Sequence, residues 1–193
     1  MVRIGDLPLT GRTLHEIRRT VGIIFQDPDD QLFMPTIYDD IAFGPYNLGI
    51  PRDEIERRVF AAMTRMGIGH LGDKPPYRLS AGEKRRAAIA TVLSMLPDVL
   101  VMDEPSTGLD PLGRRELIAL LREFTHTKII ATHDLDLVAN LCRRTIVLDG
   151  GEIRADGPTL DIFRNEELLK DCHMEKPLSM QGCPVCAVRE VHE

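Results

Sequence analysis

Asp103 and Glu104 stand side by side, directly after four apolar residues, VLVM at 99–102. Adjacent carboxylates at a strand end can divide labour: one is neutralised by a divalent cation and the other stays free to act as a base on water. His133 follows a second apolar run, KIIAT at 128–132, and Gln26 follows a third, VGIIF at 21–25. At LSAGE, Ser80 precedes Glu83 by three residues, the spacing of a capping box, and Gly82 lies between them. A glycine-containing helix start of this kind is an anion site. Each feature also has a bland account. Asp103-Glu104-Pro105 can be a turn, Gln26 a strand end, His133 a surface histidine, and Ser80 with Glu83 an ordinary helix start.

Runs of four to five apolar residues between polar ones are too short for helices. They suit parallel strands, with 99–102 a central strand covered on both faces. Such sheets place their ligands at the carboxyl ends of the strands, so Gln26, Asp103 and His133 emerge at one edge. The rest of the chain fills in around them. Val2, Ile4 and Gly5-Asp6 predict a short strand and turn, and Thr13 precedes a helix at 14–19. Residues 27–50 read as an irregular segment, punctuated by Pro and Gly and carrying Phe33, Met34, Tyr38 and Phe43. Residues 51–66 repeat Ile55, Val59, Ala62, Met63 and Met66 at helical spacing. A helix follows Glu83 to Pro97, its alanines packed inward and Lys84, Arg85 and Arg86 on its solvated side. Pro111 begins another, with Leu117, Leu120 and Leu121 inward. Then come a helix at 135–142, a hairpin of 145–148 and 152–155 around Asp149-Gly150-Gly151, and a helix at 159–164.

At 193 residues, with 43% hydrophobic and 28% charged content, the chain matches a single globular domain. No run approaches the length of a membrane helix, and the N-terminus lacks a signal-peptide pattern. A cytoplasmic chain, peripheral to the membrane through a partner, is expected. The net charge of −6 and the 5% aromatic content argue against nucleic acid as the main ligand.

LSAGEKRR (79–86), VLVMDE (99–104), STGLD (106–110) and His133 resemble, in order and spacing, the signature motif, Walker B strand, D-loop and switch histidine of ABC-type ATPases. GIIFQDPDDQLF resembles the Q-loop of that family, and residues 27–50 resemble its energy-coupling-factor branch of cobalt and nickel importers. The resemblance implies an α/β fold: a P-loop NTPase-type core with a mainly parallel sheet and a helical signature subdomain at about 40–95, within a partial ATPase domain at 1–170. It implies ATP and Mg²⁺ as cofactors. Asp103 would hold Mg²⁺ through water, Glu104 would orient or deprotonate the attacking water, Gln26 would contact the metal and water, and His133 the γ-phosphate. Leu79, Ser80, Ala81, Gly82 and Glu83 would meet ATP held by the opposite subunit of a dimer, with Ser106, Gly108 and Asp110 in the D-loop at that boundary. Ala81 replaces the family's glycine and Glu83 its glutamine. The implied partners are a second ATPase subunit, equal or different, a transmembrane energy-coupling subunit, and a substrate-binding membrane component.

The sequence GxxxxGK[ST], which holds the β- and γ-phosphates, occurs nowhere in the 193 residues. Only 25 residues precede Gln26, too few for that strand–loop–helix unit. The chain is expected to correspond to the C-terminal three-quarters of such an ATPase, with a central strand and its helix missing and core exposed. A longer natural protein is the favoured cause; a short subunit, or a neighbour lending the strand and helix, are the others. Three functions compete: the energy-coupling ATPase; a non-catalytic subunit that lends its signature in trans or responds to metal; and a soluble ABC protein of DNA repair or translation. The 52 positions between Gln26 and Leu79 are too few for the coiled-coil insertion of the third.

Residues 171–193 form a tail with Cys172, His173, Cys183 and Cys186, the last two in a CxxC pair. Without a secretory signal these read as zinc-type or soft-metal ligands, or as thiols of an unstructured tail. Zn²⁺ binding by the purified chain separates the two. Loss of binding in the Cys183→Ser, Cys186→Ser variant is the outcome for a ligand set, and unchanged binding rejects it.

Overall fold

The computed structural model describes residues 2–125 and 127–181, in two compact units divided between Thr132 and His133. The first opens with a small hairpin, β1 (Arg3–Ile4) and β2 (Leu7–Pro8), turned at Gly5 with φ +57°. Helix α1 (Leu14–Thr20) leads into β3 (Val21–Ile24). That strand joins β4 (Val99–Asp103) and β5 (Thr127–Ala131) in a parallel sheet of order β3-β4-β5. β4 is central as expected, with Met102 in register with Ile24 on one side and Ile130 on the other.

Helix α4 (Ala81–Leu93) seats on the sheet face that carries Gly22, Ile24, Leu100 and Met102. The seat is close: a Cβ built on Gly22 would lie 2.1 Å from Val92 Cγ1 and 3.1 Å from Pro97. The other face corrects the expectation of a strand covered on both sides. Val99 and Val101 are only half-buried, and the in-register neighbours of Val101, Ile23 and Ile129, are 51% and 57% exposed.

Helices α2 (Ile37–Asn47) and α3 (Arg52–Arg65) pack on each other and on α4. The stripe expected of α3 is buried, as are Met66 and Ile68 beyond it. Helix α2 corrects the reading of 27–50 as irregular. Gly44-Pro45 looked like punctuation, yet both lie inside the helix. Proline has no N–H for the Ile41 carbonyl one turn back. The Ser94 hydroxyl, just past α4, sits 2.8 Å from that carbonyl and 2.9 Å from that of Thr91. Gly44 lets Met95 approach, since a Cβ there would lie 2.6 Å from its sulfur. The Thr36 side chain caps the start of α2, accepting the Asp39 N–H. Helix α5 (Pro111–Glu123) buries Leu117, Ile118 and Leu121.

The second unit contains α6 (Leu135–Leu141), the hairpin β6 (Arg144–Asp149) and β7 (Glu152–Pro158), α7 (Thr159–Arg164) and α8 (Glu166–Asp171). The hairpin turn is Gly150-Gly151, both with positive φ, the conformation of a primed two-residue turn. Its core comprises Val138, Val147, Ile162, Phe163, Leu169 and Cys172.

Two substitutions test the seat of α4. Gly22→Ala forces a methyl into the stiff, branched side chain of Val92 and is expected to destabilise by about 1–3 kcal/mol. Ser94→Ala strips a buried carbonyl of its donor and is expected to cost about 1–3 kcal/mol. Urea melts of the purified chain measure both, and a change under 0.5 kcal/mol in either denies that contact its role.

Candidate active site

The carboxyl edge of the sheet brings its side chains together as the topology requires. Gln26 lies just beyond β3, Asp103 ends β4, and Glu104 follows at φ +42°, a left-handed backbone that a side chain rarely adopts. Two bonds hold that turn. Glu104 donates its N–H to the Ala131 carbonyl at 2.9 Å, and its Oε2 accepts the Thr132 hydroxyl at 2.9 Å. The glutamate is thus aimed by the end of the neighbouring strand, while Asp103 points to solvent.

Ser80 caps α4 in both directions. The Glu83 N–H reaches Ser80 Oγ at 3.4 Å, and Glu83 Oε2 accepts the Ser80 N–H at 2.8 Å. These bonds hold the Glu83 carboxyl below its ordinary pKa, the backbone N–H of Ser80 contributing most. Glu83 is therefore engaged in the cap, and the amides of Ala81 and Gly82 are the ones left at the helix start.

Arg85 corrects the sequence reading of a solvated 84–86 face. It is only 3% exposed. Its Nη1 donates to the Phe25 carbonyl at 2.8 Å and its Nη2 to the Gln26 carbonyl at 2.6 Å. Burial lowers its pKa, and Asp27 opposes the shift. Lys84 is also engaged, bonding both oxygens of Asp29 at 2.6 and 2.9 Å, and Arg86 pairs with Glu116. Helical spacing carried a signal for Arg85: it shares the buried face of α4 with Ala88 and Val92.

One cavity of about 790 Å³ gathers these parts, with Gln26, Asp103, Gly108, Leu79, Ala81 and Arg85 among its lining residues. Ser106 is buried beside it in sequence, and Asp110 caps α5 by accepting the Gly113 N–H at 2.6 Å. His133 is exposed and opens the second unit. Its neighbour Asp134 caps α6 through the Leu137 N–H at 2.9 Å.

Phe33 and Phe43 meet edge to face at 5.0 Å between ring centroids, and Phe33 remains 63% exposed. The loop carrying Phe33 is fixed by a residue the sequence reading passed over. Asp40, on α2, accepts the N–H groups of Phe33 and Met34 through one oxygen, each at 3.0 Å. Its other oxygen is buried with no hydrogen-bond partner among the described residues, and burial raises its pKa against the pull of those two N–H groups.

The tail residues part company. Cys172 is buried in the apolar core of the second unit, and His173 is exposed at φ +55°. Cys183 and Cys186 lie outside the described residues. Among the described residues, no group of three or more His, Cys, Asp or Glu is placed to hold a metal ion.

A parallel sheet edge that gathers a glutamine loop, the aspartate of an Asp-Glu pair and a capped helix start around one cavity defines an ABC-type ATPase fold. The family model described as "ABC transporter" matches residues 1–107, and the chain belongs to that family. GSU1281 of Geobacter sulfurreducens, provisionally named an ABC transporter ATP-binding protein, is 68% identical over 185 residues, which cover 96% of this chain and 74% of that protein. The energy-coupling factor transporter ATP-binding protein EcfA of Methanothermobacter thermautotrophicus is 44% identical over 85% of this chain and 54% of its own length. Among solved structures, cbiO1 of Clostridium perfringens, described as part of the ABC transporter complex cbiONQ, superposes with a TM-score of 0.73 at 43% identity. That match covers 84% of this chain and 66% of cbiO1. The chain thus spans between about half and three quarters of these relatives' lengths.

Asp40 gives the site a pH signature. A carboxyl whose folded pKa is raised binds its proton more tightly in the native state. Its stabilising contribution is therefore present below the unfolded value of 3.8 and is lost as pH rises through the folded value. Asp40→Asn keeps an acceptor for Phe33 and Met34 without the charge. Relative to wild type, its stability is expected to improve as pH is raised through that window. Urea melts between pH 3.5 and 7 read the difference, and a constant offset rejects the burial of a charge at Asp40.

Proposed function

We propose that this chain is the ATP-hydrolysing, energy-coupling subunit of a membrane importer for cobalt or nickel ions. The carrying observation is a cavity that gathers Gln26, Asp103, Gly108 and the start of α4, with Glu104, next in sequence to Asp103, held by the Thr132 hydroxyl. The residues fit Mg²⁺ and ATP in part. An exposed carboxylate at a strand end suits a hydrated divalent ion, and a helix start with two open amides and a serine suits a phosphate. The Mg²⁺ would neutralise charge on the transferring phosphoryl group. Asp103 would hold the hydrated ion, Gln26 lines the same cavity, and Glu104, fixed by Thr132, would take the proton of the attacking water. His133 is assigned to the γ-phosphate side. The amides of Ala81 and Gly82, with Ser80, serve the nucleotide of a second ATPase subunit. The sequence GxxxxGK[ST] does not occur in these 193 residues. The names of cbiO1 and EcfA support the choice of an energy-coupling importer, and the exposed Phe33–Phe43 pair supports docking of a transmembrane subunit at the inner face of the membrane.

A second reading follows from the missing GxxxxGK[ST]: a non-catalytic subunit that lends only its signature segment. Glu104→Gln decides between them in the assembled transporter. The ATPase reading expects kcat and ion uptake to fall by about 10²–10⁴-fold with KM for ATP little changed. Uptake and hydrolysis at wild-type levels overturn it. Loss of activity on Ser80→Ala with none on Glu104→Gln favours the lending subunit.

A further inference from the structure

We infer that Arg85 is a positioning residue for Gln26, setting the direction in which the glutamine side chain leaves the backbone. The carbonyls it binds belong to the two peptide planes on either side of the Gln26 Cα: that of Phe25 before it and that of Gln26 after it. Fixing both planes fixes φ and ψ between them, and with them the Cα–Cβ direction. No sheet partner does this, because β3 ends at Ile24. Among the described residues, Arg85 bridges these planes from α4, five residues after the capping serine.

The surrounding bonds extend the grip. Gln31 Oε1 accepts the Phe25 N–H at 3.1 Å, while its Nε2 donates to the Ala88 carbonyl and Thr91 hydroxyl of α4, each at 2.8 Å. Lys84 adds its bonds to Asp29. Arg85, Lys84, Ala88 and Thr91 of α4 all bind the loop 25–31, so the loop and the signature helix are one mechanical piece. The arginine fork is needed for the central anchor. Two donors in a rigid plane reach two successive carbonyls, which a single ammonium matches only in part. Guanidinium is also the cation that tolerates burial against carbonyls best.

The role in hydrolysis rests on the function proposed above; the positioning itself does not, so the test has two arms. In the first, hydrogen exchange of the purified chain is followed for Arg85→Met and Arg85→Lys. Arg85→Met is expected to speed exchange at the amides of Asp29, Asp30 and Gln31 by about tenfold or more, while β4 and α6 keep their rates, with Arg85→Lys restoring protection in part. Wild-type protection in Arg85→Met overturns the inference. If Arg85→Met fails to fold, Arg85→Lys decides: faster exchange confined to the loop supports it, and wild-type protection overturns it. In the second arm, ATP hydrolysis by the assembled transporter is measured for Arg85→Met, Gln26→Ala and the double variant. The expected result is a kcat about tenfold lower in Arg85→Met with KM unchanged, and a double variant no worse than Gln26→Ala. Additive losses overturn the inference. A wild-type assembly without hydrolysis defeats the proposed function alone, and the exchange arm still decides on Arg85.

Discussion

The seat of α4 on the sheet is the constraint on which the rest of the first unit depends. At Gly22 the helix comes so near that no side chain fits beneath Val92. That approach brings Arg85 within reach of the Phe25 and Gln26 carbonyls, and Ala88 and Thr91 within reach of Gln31. At the far end it lets Ser94 supply the bond that Pro45 withholds from α2. One packing distance therefore sets the position of the signature segment, the course of the glutamine loop and the continuity of a proline-containing helix. A buried guanidinium is costly unless its donors are used, and two of its partners are backbone carbonyls in the very loop it positions.

Much of this was legible in the sequence, because apolar runs and caps act locally. The three strands, the amphipathic α3, the Ser80–Glu83 box and the glycine turn of the second hairpin each follow from residues a few positions apart. What the sequence hid depends on distant partners. Helix α2 survives its proline because of Ser94, 49 positions further on. Arg85 looked solvated because its neighbours are Lys84 and Arg86, and charge dominated the reading of a face whose spacing was that of Ala88 and Val92. Asp40 was invisible for the same reason: only the folded loop brings the Phe33 and Met34 amides to its carboxylate. The open sheet face has a different cause. A run such as VLVM reports that a strand is apolar on both sides, and among the described residues only the α4 side is closely covered.

Backbone strain coincides with the proposed chemistry at Glu104. A left-handed backbone at a non-glycine residue costs on the order of 1–3 kcal/mol and persists only where surrounding bonds enforce it. Here the Ala131 carbonyl and Thr132 hydroxyl enforce it, both from the end of β5. Asp103, one residue earlier, lies on the regular strand and stays exposed. Adjacent carboxylates are thus given different environments by the strand end itself: one free to meet solvent and an ion, the other tied to a hydroxyl donor and turned aside. That asymmetry is what two neighbouring acids need if they are to take different roles in one reaction.

The same logic links the aromatic face to the site. Asp40 holds the backbone of Phe33 and Met34, Gln31 two residues before Phe33 holds Phe25, and Arg85 holds Phe25 and Gln26. Each link binds backbone, so a push on Phe33 is carried by peptide planes instead of by loose side chains. Packed, bonded segments of this kind move as bodies, because close-packed interiors shift between discrete arrangements more readily than they deform. On the proposed docking of a partner at the aromatic pair, that event and a change in the cavity would be two ends of one displacement. Its reach is set by how far the loop 25–31 and α4 travel together.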